Sequence, residues 1–320
     1  MVATAEALDQ LEAFRRATVD LREEFIREFA LLWPGAAALS APGVARQQWL
    51  ELVVALVQRW RPVFAQVAME TYRTQAVLEV GAVPAFLAAG GAGVVVPDLD
   101  VAELVAAMVV LVFTPLGRDA ERAAAFRRAS QQREAQRRAE VGLPPPEPEL
   151  DIPREDRVTP REARIFDQAA EAAARLAVNG GRDAVQRAVQ QDRLAVGWMR
   201  ITDSNPCAFC LMLASRGPVY KSAATAGFEI DPVRGEINRF HDNCACQVVP
   251  VFTRNERFLP ESTRRAKRIW EAAQREAIAT GQLKRGTSND ALNALRRYMA
   301  AQQRGEVNGE ADSEAATEAA

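Results

Sequence analysis

Cys207, Cys210, His241, Cys244 and Cys246 are all the cysteines and the sole histidine of a 320-residue chain. They share one 40-residue window, spaced Cys-x2-Cys, then 30 residues, then His-x2-Cys-x-Cys. Thiolate and imidazole are the side chains that hold zinc, and paired short spacings let one backbone turn present two ligands to one tetrahedral ion. Five candidates compete for four positions. Cys207 and Cys210 form the first pair. His241, Cys244 and Cys246 compete for the other two places, and the tight Cys-x-Cys spacing pushes one of the candidates into a supporting role. A reducing cytoplasm is the expected compartment, and there clustered cysteines favour metal over disulfides.

A four-ligand, sulfur-rich zinc site is closed and therefore structural. Zinc contributes on the order of 10–16 kcal/mol to the folding of small modules of this kind. Residues 196–252 hold few large apolar side chains, so the ion is expected to stand in for a core, with Phe209 packed beside it. Catalytic chemistry fits poorly. Nucleophilic catalysis through histidine needs a base, and His241 is committed to the cluster. A thioredoxin-like Cys-x-x-Cys follows a strand and opens a helix, whereas Asp203-Ser204-Asn205-Pro206 is a turn-forming run.

The elements that position this cluster read as mainly α. Residues 1–140 form a helical region: apolar residues recur at helical intervals from Leu8 to Leu32, and again from Trp49 to Trp60, with Pro62 expected to kink or divide the second helix. Helix is expected again over 99–113 and, after Thr114-Pro115-Leu116-Gly117, over 118–140. Residues 141–158 are a proline-rich linker, and a domain boundary is expected there. Residues 159–303 form an α+β module with a small zinc-knuckle β-element at 196–252. Thr159-Pro160-Arg161-Glu162 opens its first helix with an N-cap, a first-turn proline and a glutamate at the third position. Asn179-Gly180-Gly181 is expected to stop that helix, a shorter one following over 182–195. Short β-type runs are expected at 198–202, 218–221 and 247–252, and helices at 261–280 and 288–303. Residues 304–320 are an acidic tail, expected to be disordered.

Composition narrows the function. A formal net charge of −2 argues against charge-driven nucleic-acid coating. Of 40 basic residues only Lys221, Lys267 and Lys284 are lysines, a bias that fits a GC-rich genome. The arginines of 118–140, and the group Arg264, Arg265, Lys267 and Arg268, read as solvated helix faces, with packaged DNA the weaker alternative. The opening residues lack the basic start and apolar run of a secretory signal. The most apolar stretch, residues 101–113, carries Glu103 and is expected to be too short to cross a bilayer, so no membrane partner is expected.

The order Trp198-Met199-Arg200-Ile201-Thr202-Asp203, Cys207-Ala208-Phe209-Cys210, Leu213-Ala214-Ser215-Arg216-Gly217-Pro218-Val219-Tyr220 and Phe240-His241-Asp242-Asn243-Cys244-Ala245-Cys246 resembles the MuF-like minor capsid (head morphogenesis) family of tailed phages, in its actinobacteriophage form. The detailed resemblance covers residues 196–252. It implies a structural protein of the virion head, acting near the portal during procapsid assembly in the host cytoplasm. Its implied partners are the portal protein and the major capsid or scaffold protein. Some relatives carry protease activity, so a capsid maturation protease is the alternative.

Overall fold

The computed structural model describes residues 2–40, 42–88, 98–118, 159–202, 206–218, 229–231, 235–237, 244, 246–283 and 288–305, with single helical positions between 121 and 132. The proline-rich linker, His241, the β-type run at 219–221 and the tail beyond 305 lie outside them.

The fold is mainly α with a small sheet, as the periodicities require. Helices α1 (Val2–Leu31), α2 (Ala36–Ser40), α3 (Val44–Val80), α4 (Ala85–Ala88) and α5 (Val101–Met108) precede the long helix α6 (Pro160–Gln191). Strand β1 (Gly197–Ile201), helix α7 (Ala208–Ser215), a hairpin of β2 (Glu229–Asp231) and β3 (Gly235–Ile237), and strand β4 (Gln247–Val251) follow. Helices α8 (Glu261–Ala279) and α9 (Ser288–Gln303) close the described chain.

Two compact units divide these elements: Met1–Glu24, Arg59–Asp98 and Arg175–Ala320 in one, Phe25–Gln58 and Leu99–Ala174 in the other. Because α1, α3 and α6 each give residues to both, the units interleave along the sequence.

The second unit is held by aromatic packing. Trp49 meets Phe29, Trp33 and Phe113 edge-on at 6.1, 5.5 and 5.9 Å, and Trp33 meets Phe166 at 5.4 Å. Such geometries set the positive ring edge against a negative ring face. Arg46 stacks over Phe113 at 4.3 Å while its Nη2 donates to the carbonyl of Leu39 at 2.8 Å. In this unit helix does not end at Phe113. It passes through a π turn at Val109–Phe113 and continues over residues 114–118. The wide turn takes up the clash that the ring of Pro115 would otherwise make with the turn before it. The resulting 18-residue window Val101–Arg118, with mean hydropathy 1.8, is long and apolar enough to cross a bilayer, against the shorter reading of the sequence. Leu104, Met108, Val112, Phe113 and Leu116 are buried along it, a seam at helical spacing, while Val101, Val109 and Val110 are exposed, so packing accounts for one face of the stretch only.

The first unit contains the cysteines. Two sequence signals for helix breaks are overridden here. Pro62 lies inside an unbroken α3: a helical proline costs about 3 kcal/mol, and burial of Trp60 and Phe64 beside it, worth roughly 1.5–3 kcal/mol each, offsets that cost. Asn179-Gly180-Gly181 lies inside an unbroken α6. Its glycines let two backbones meet, since a Cβ on Gly180 would stand 2.4 Å from the carbonyl oxygen of Arg61, and one on Gly181 2.8 Å from that of Phe64. Arg61 ties the crossing on both sides, donating to the carbonyl of Leu176 at 2.8 Å and to the Asp183 carboxylate at 2.9 Å. Thr159 caps α6 as expected, its hydroxyl accepting from the Glu162 N–H at 3.1 Å. At the other end Asp192 accepts from the Leu194 N–H at 2.9 Å and turns the chain into β1.

β1 and β4 pair antiparallel, Trp198 opposite Pro250 and Arg200 opposite Val248, and every residue of both strands is buried. They join Leu11, Phe14, Ala68, Tyr72, Val185 and Val189 in one core, which also takes in Cys210, Cys244 and Cys246. The knuckle is thus no self-contained module short of a core; its core comes from α1, α3 and α6. Behind it, Leu211 and Ala214 of α7 pack with Ile269 and Ala273 of α8 and Leu295 and Tyr298 of α9.

Candidate metal centre

Three elements bring the cysteines together. The turn into α7 carries Cys207 and Cys210, the segment before β4 carries Cys244 and Cys246, and α6 passes behind with Arg182. Cys207 is the N-cap of α7 in extended backbone, and its Sγ accepts from the Cys210 N–H at 3.3 Å. A sulfur so placed sits at the positive end of the helix, where a thiolate is favoured.

The sulfurs of Cys210, Cys244 and Cys246 all lie within 4.8 Å of one another, with Cys210 and Cys244 at 3.3 Å. All three residues are buried, with at most 4% of their surface exposed. Zinc–sulfur bonds of about 2.3 Å arranged tetrahedrally put the sulfurs about 3.8 Å apart, inside the observed spread. The donor set therefore fits a soft or borderline metal ion, and the three cysteines could bind one. Both members of the Cys-x-Cys pair stand in the triad. Cys207 bonds to the Cys210 side chain beside it, but its sulfur is not among the three that lie within 4.8 Å of one another. His241 lies outside the described residues. Phe209 is only half-buried and does not join the cysteine core, because its face of α7 turns away from it.

The electrostatics of the cluster are those of thiols sharing anionic charge. Hydrogen bonds from Cys210 and Cys246, and then the nearby Arg182 guanidinium, hold the Cys244 thiol far below its ordinary range against the opposing effect of burial. Cys210 is pushed far up by its bonds to Cys207, Cys244 and Cys246 and then by burial.

Arg182 is the functional residue that the sequence pattern did not reveal. It is fully buried on α6, and its Nη2 donates to the carbonyl oxygens of Cys244 and Cys246 at 2.7 Å each. Nε adds a bond to Cys246 at 3.0 Å, and Nη1 reaches Asn179 Oδ1 at 2.8 Å. Burial lowers its pKa, and the charges of Cys244, Cys246 and Cys210 oppose that shift. An Asn three residues before an Arg beside a Gly-Gly was the one available signal, and it reads more simply as a helix stop. On α8, Arg264 and Arg268 both pair with Glu261, at 3.0 and 2.7 Å, so part of that basic group is neutralised within its own helix.

Two curated relatives resemble the chain, each a "Gene 15 protein": 33% identity over 147 residues in Mycobacterium phage D29, and 32% over 148 residues in Mycobacterium phage L5. The matches cover 37% and 36% of this chain, and 54% and 49% of those proteins, so the chain spans about half the length of the curated relatives it matches. No solved structure matches the chain. The model of the VG15 protein family matches residues 5–273, taking in the interleaved helices, the sheet and the cysteine cluster alike, and the chain belongs to that phage protein family.

Proposed function

We propose that this chain is a minor capsid (head morphogenesis) protein of a tailed phage, with a structural role in procapsid assembly near the portal. The observation that carries the reading is the enclosure of three of the chain's four thiols, Cys210, Cys244 and Cys246, in the packed core of a phage-family protein, with Cys207 half-buried against it. A sulfur-rich site walled in on this scale suits a structural ion, because a catalytic metal keeps a coordination position open to substrate. The ordering Cys-x2-Cys and His-x2-Cys-x-Cys, similar to the MuF-like head proteins, supports the same assignment. Zinc is the ion proposed, held by Cys210, Cys244 and Cys246, with Cys207 the fourth donor among the described residues. The proposed partners are the portal protein and the capsid or scaffold protein, and the proposed location is the head interior.

Tagged protein expressed during infection should recover the portal or the capsid precursor. Deleting its gene should leave capsid proteins processed normally while heads fail to assemble. Loss of one specific cleavage on deletion, restored by purified protein, would overturn the structural reading in favour of a maturation protease.

A further inference from the structure

We propose that Arg182 is the positioning residue of the metal centre: it holds the backbone of the ligands Cys244 and Cys246 from inside α6 and supplies a fixed positive charge against which the thiolates bind their ion. The inference rests on the metal reading above and assigns to one helix residue a role in metal affinity.

Geometry carries it first. Cys244 and Cys246 are separated by one residue, and the carbonyls of both accept from a single guanidinium nitrogen at 2.7 Å. The planar fork of arginine allows this, with Nε adding a second bond to Cys246 at 3.0 Å. Asn179 Oδ1, one helical turn earlier, receives Nη1 at 2.8 Å and fixes the direction of the fork. Cys244 and Cys246 are therefore held at their backbone carbonyls while their sulfurs converge on Cys210. Charge carries it second. A guanidinium with no exposed surface costs several kcal/mol to desolvate unless hydrogen-bond acceptors and anions lie close, and here it bonds to the backbone of the two cysteines whose sulfurs complete the cluster. Three thiolates with a divalent cation carry a net negative charge, which the guanidinium offsets within the same dry core.

Residues that orient metal ligands from outside the coordination shell typically change metal affinity 10–100-fold when removed. The test is competition titration of the reduced full-length chain with zinc against a chromophoric chelator, together with the cobalt(II) thiolate charge-transfer spectrum. Arg182→Met should weaken zinc binding about 10–100-fold. Arg182→Lys, which keeps the charge but loses the fork, should fall between Arg182→Met and the native chain. Asn179→Ala, which frees the fork but keeps it, should weaken binding less than Arg182→Met and serves if that variant fails to fold. Tyr72→Phe is the control: it removes a buried hydrogen bond to Asp192 in the same core, and it should weaken zinc binding less than the Arg182 variants and leave the cobalt spectrum unchanged.

Native affinity in Arg182→Met, or in Asn179→Ala where Arg182→Met does not fold, overturns the proposal. So does equal weakening in Tyr72→Phe and the Arg182 variants, since the effect would then be general destabilisation. If the native chain takes up neither zinc nor cobalt, the metal reading itself fails and this inference with it, a result distinct from failure confined to the variants.

Discussion

The hydroxyl of Tyr72 donates to the Asp192 carboxylate at 2.9 Å across 120 residues of sequence, both groups buried. The bond ties the C-terminal part of α3 to the residue that follows α6, and the Tyr72 ring also meets Phe252 edge-on at 5.2 Å, just past β4. Burial, then the charge of Asp192, raises the Tyr72 pKa far above the ordinary range, so the phenol stays a donor. Tyr72→Phe keeps the ring contact and removes the donor. A hydrogen bond to a charged group is worth about 1.5–3 kcal/mol, so a loss of that order is expected in urea unfolding. An unchanged midpoint would show that Asp192 finds another partner at no cost.

Gly180→Ala should destabilise more than a glycine-to-alanine change at an open position of ordinary φ. Its new Cβ would fall 2.4 Å from a backbone oxygen, which no side-chain rotation can relieve, so α3 and α6 must separate. Overpacking of this kind costs about 1–3 kcal/mol, against a helix-propensity gain of about 1 kcal/mol from replacing glycine. Gly43→Ala, with nothing within 4 Å of the new atom, is the control. Equal thermal midpoints for the two variants would rule out the close crossing.

That crossing also shows where sequence reading stops. Helical spacing of Leu11, Phe14, Trp49 and Trp60 was enough to identify α1 and α3, and Thr159 with Glu162 marked the start of α6. The helices at 261–279 and 288–303 were legible for the same reason. The continuity of α6 through Asn179-Gly180-Gly181 was not, because a local stop signal and a site of helix–helix contact use the same residues; only the partner backbone at Arg61 and Phe64 distinguishes them. The cysteine window was legible as a metal-type cluster because residue type and spacing alone carry that chemistry. Its anchorage was not, because Arg182 meets Cys244 and Cys246 through their backbone carbonyls, which leave no trace in side-chain pattern.

Glu79 gives the fold a pH dependence with a definite sign. Its carboxylate accepts from Gln75 Nε2 at 2.9 Å and from the backbone N–H groups of Phe252 and Thr253 at 3.1 and 3.3 Å, clamping α3 to the end of β4. Burial raises its pKa above the ordinary 4.5, and these bonds only partly oppose the shift. A carboxyl raised on folding contributes stability below its unfolded pKa, and loses that contribution as pH climbs through the folded value. Glu79→Gln keeps an oxygen acceptor but cannot ionise. The stability of the variant relative to the native chain should therefore rise from pH 4 towards neutrality and then level off. A difference that stays flat, or that falls over this range, would contradict the assignment.

Metal removal should loosen the unit that contains α1, the second half of α3 and α6, and not the knuckle alone. Cys210, Cys244 and Cys246 share a continuous core with Leu11, Tyr72 and Val185, so a sulfur cluster that loses its ion disturbs all of these contacts together. Treatment with a strong chelator under reducing conditions should lower the thermal midpoint, and zinc should restore it by mass action, more stability being regained as free zinc exceeds its dissociation constant. Hydrogen exchange would locate the effect. Amides of β1, β4 and the 175–191 part of α6 should lose protection together. If only the residues around Cys207 to Cys210 and Cys244 to Cys246 lose protection, the knuckle folds as a separate module and the shared core contributes little to holding it.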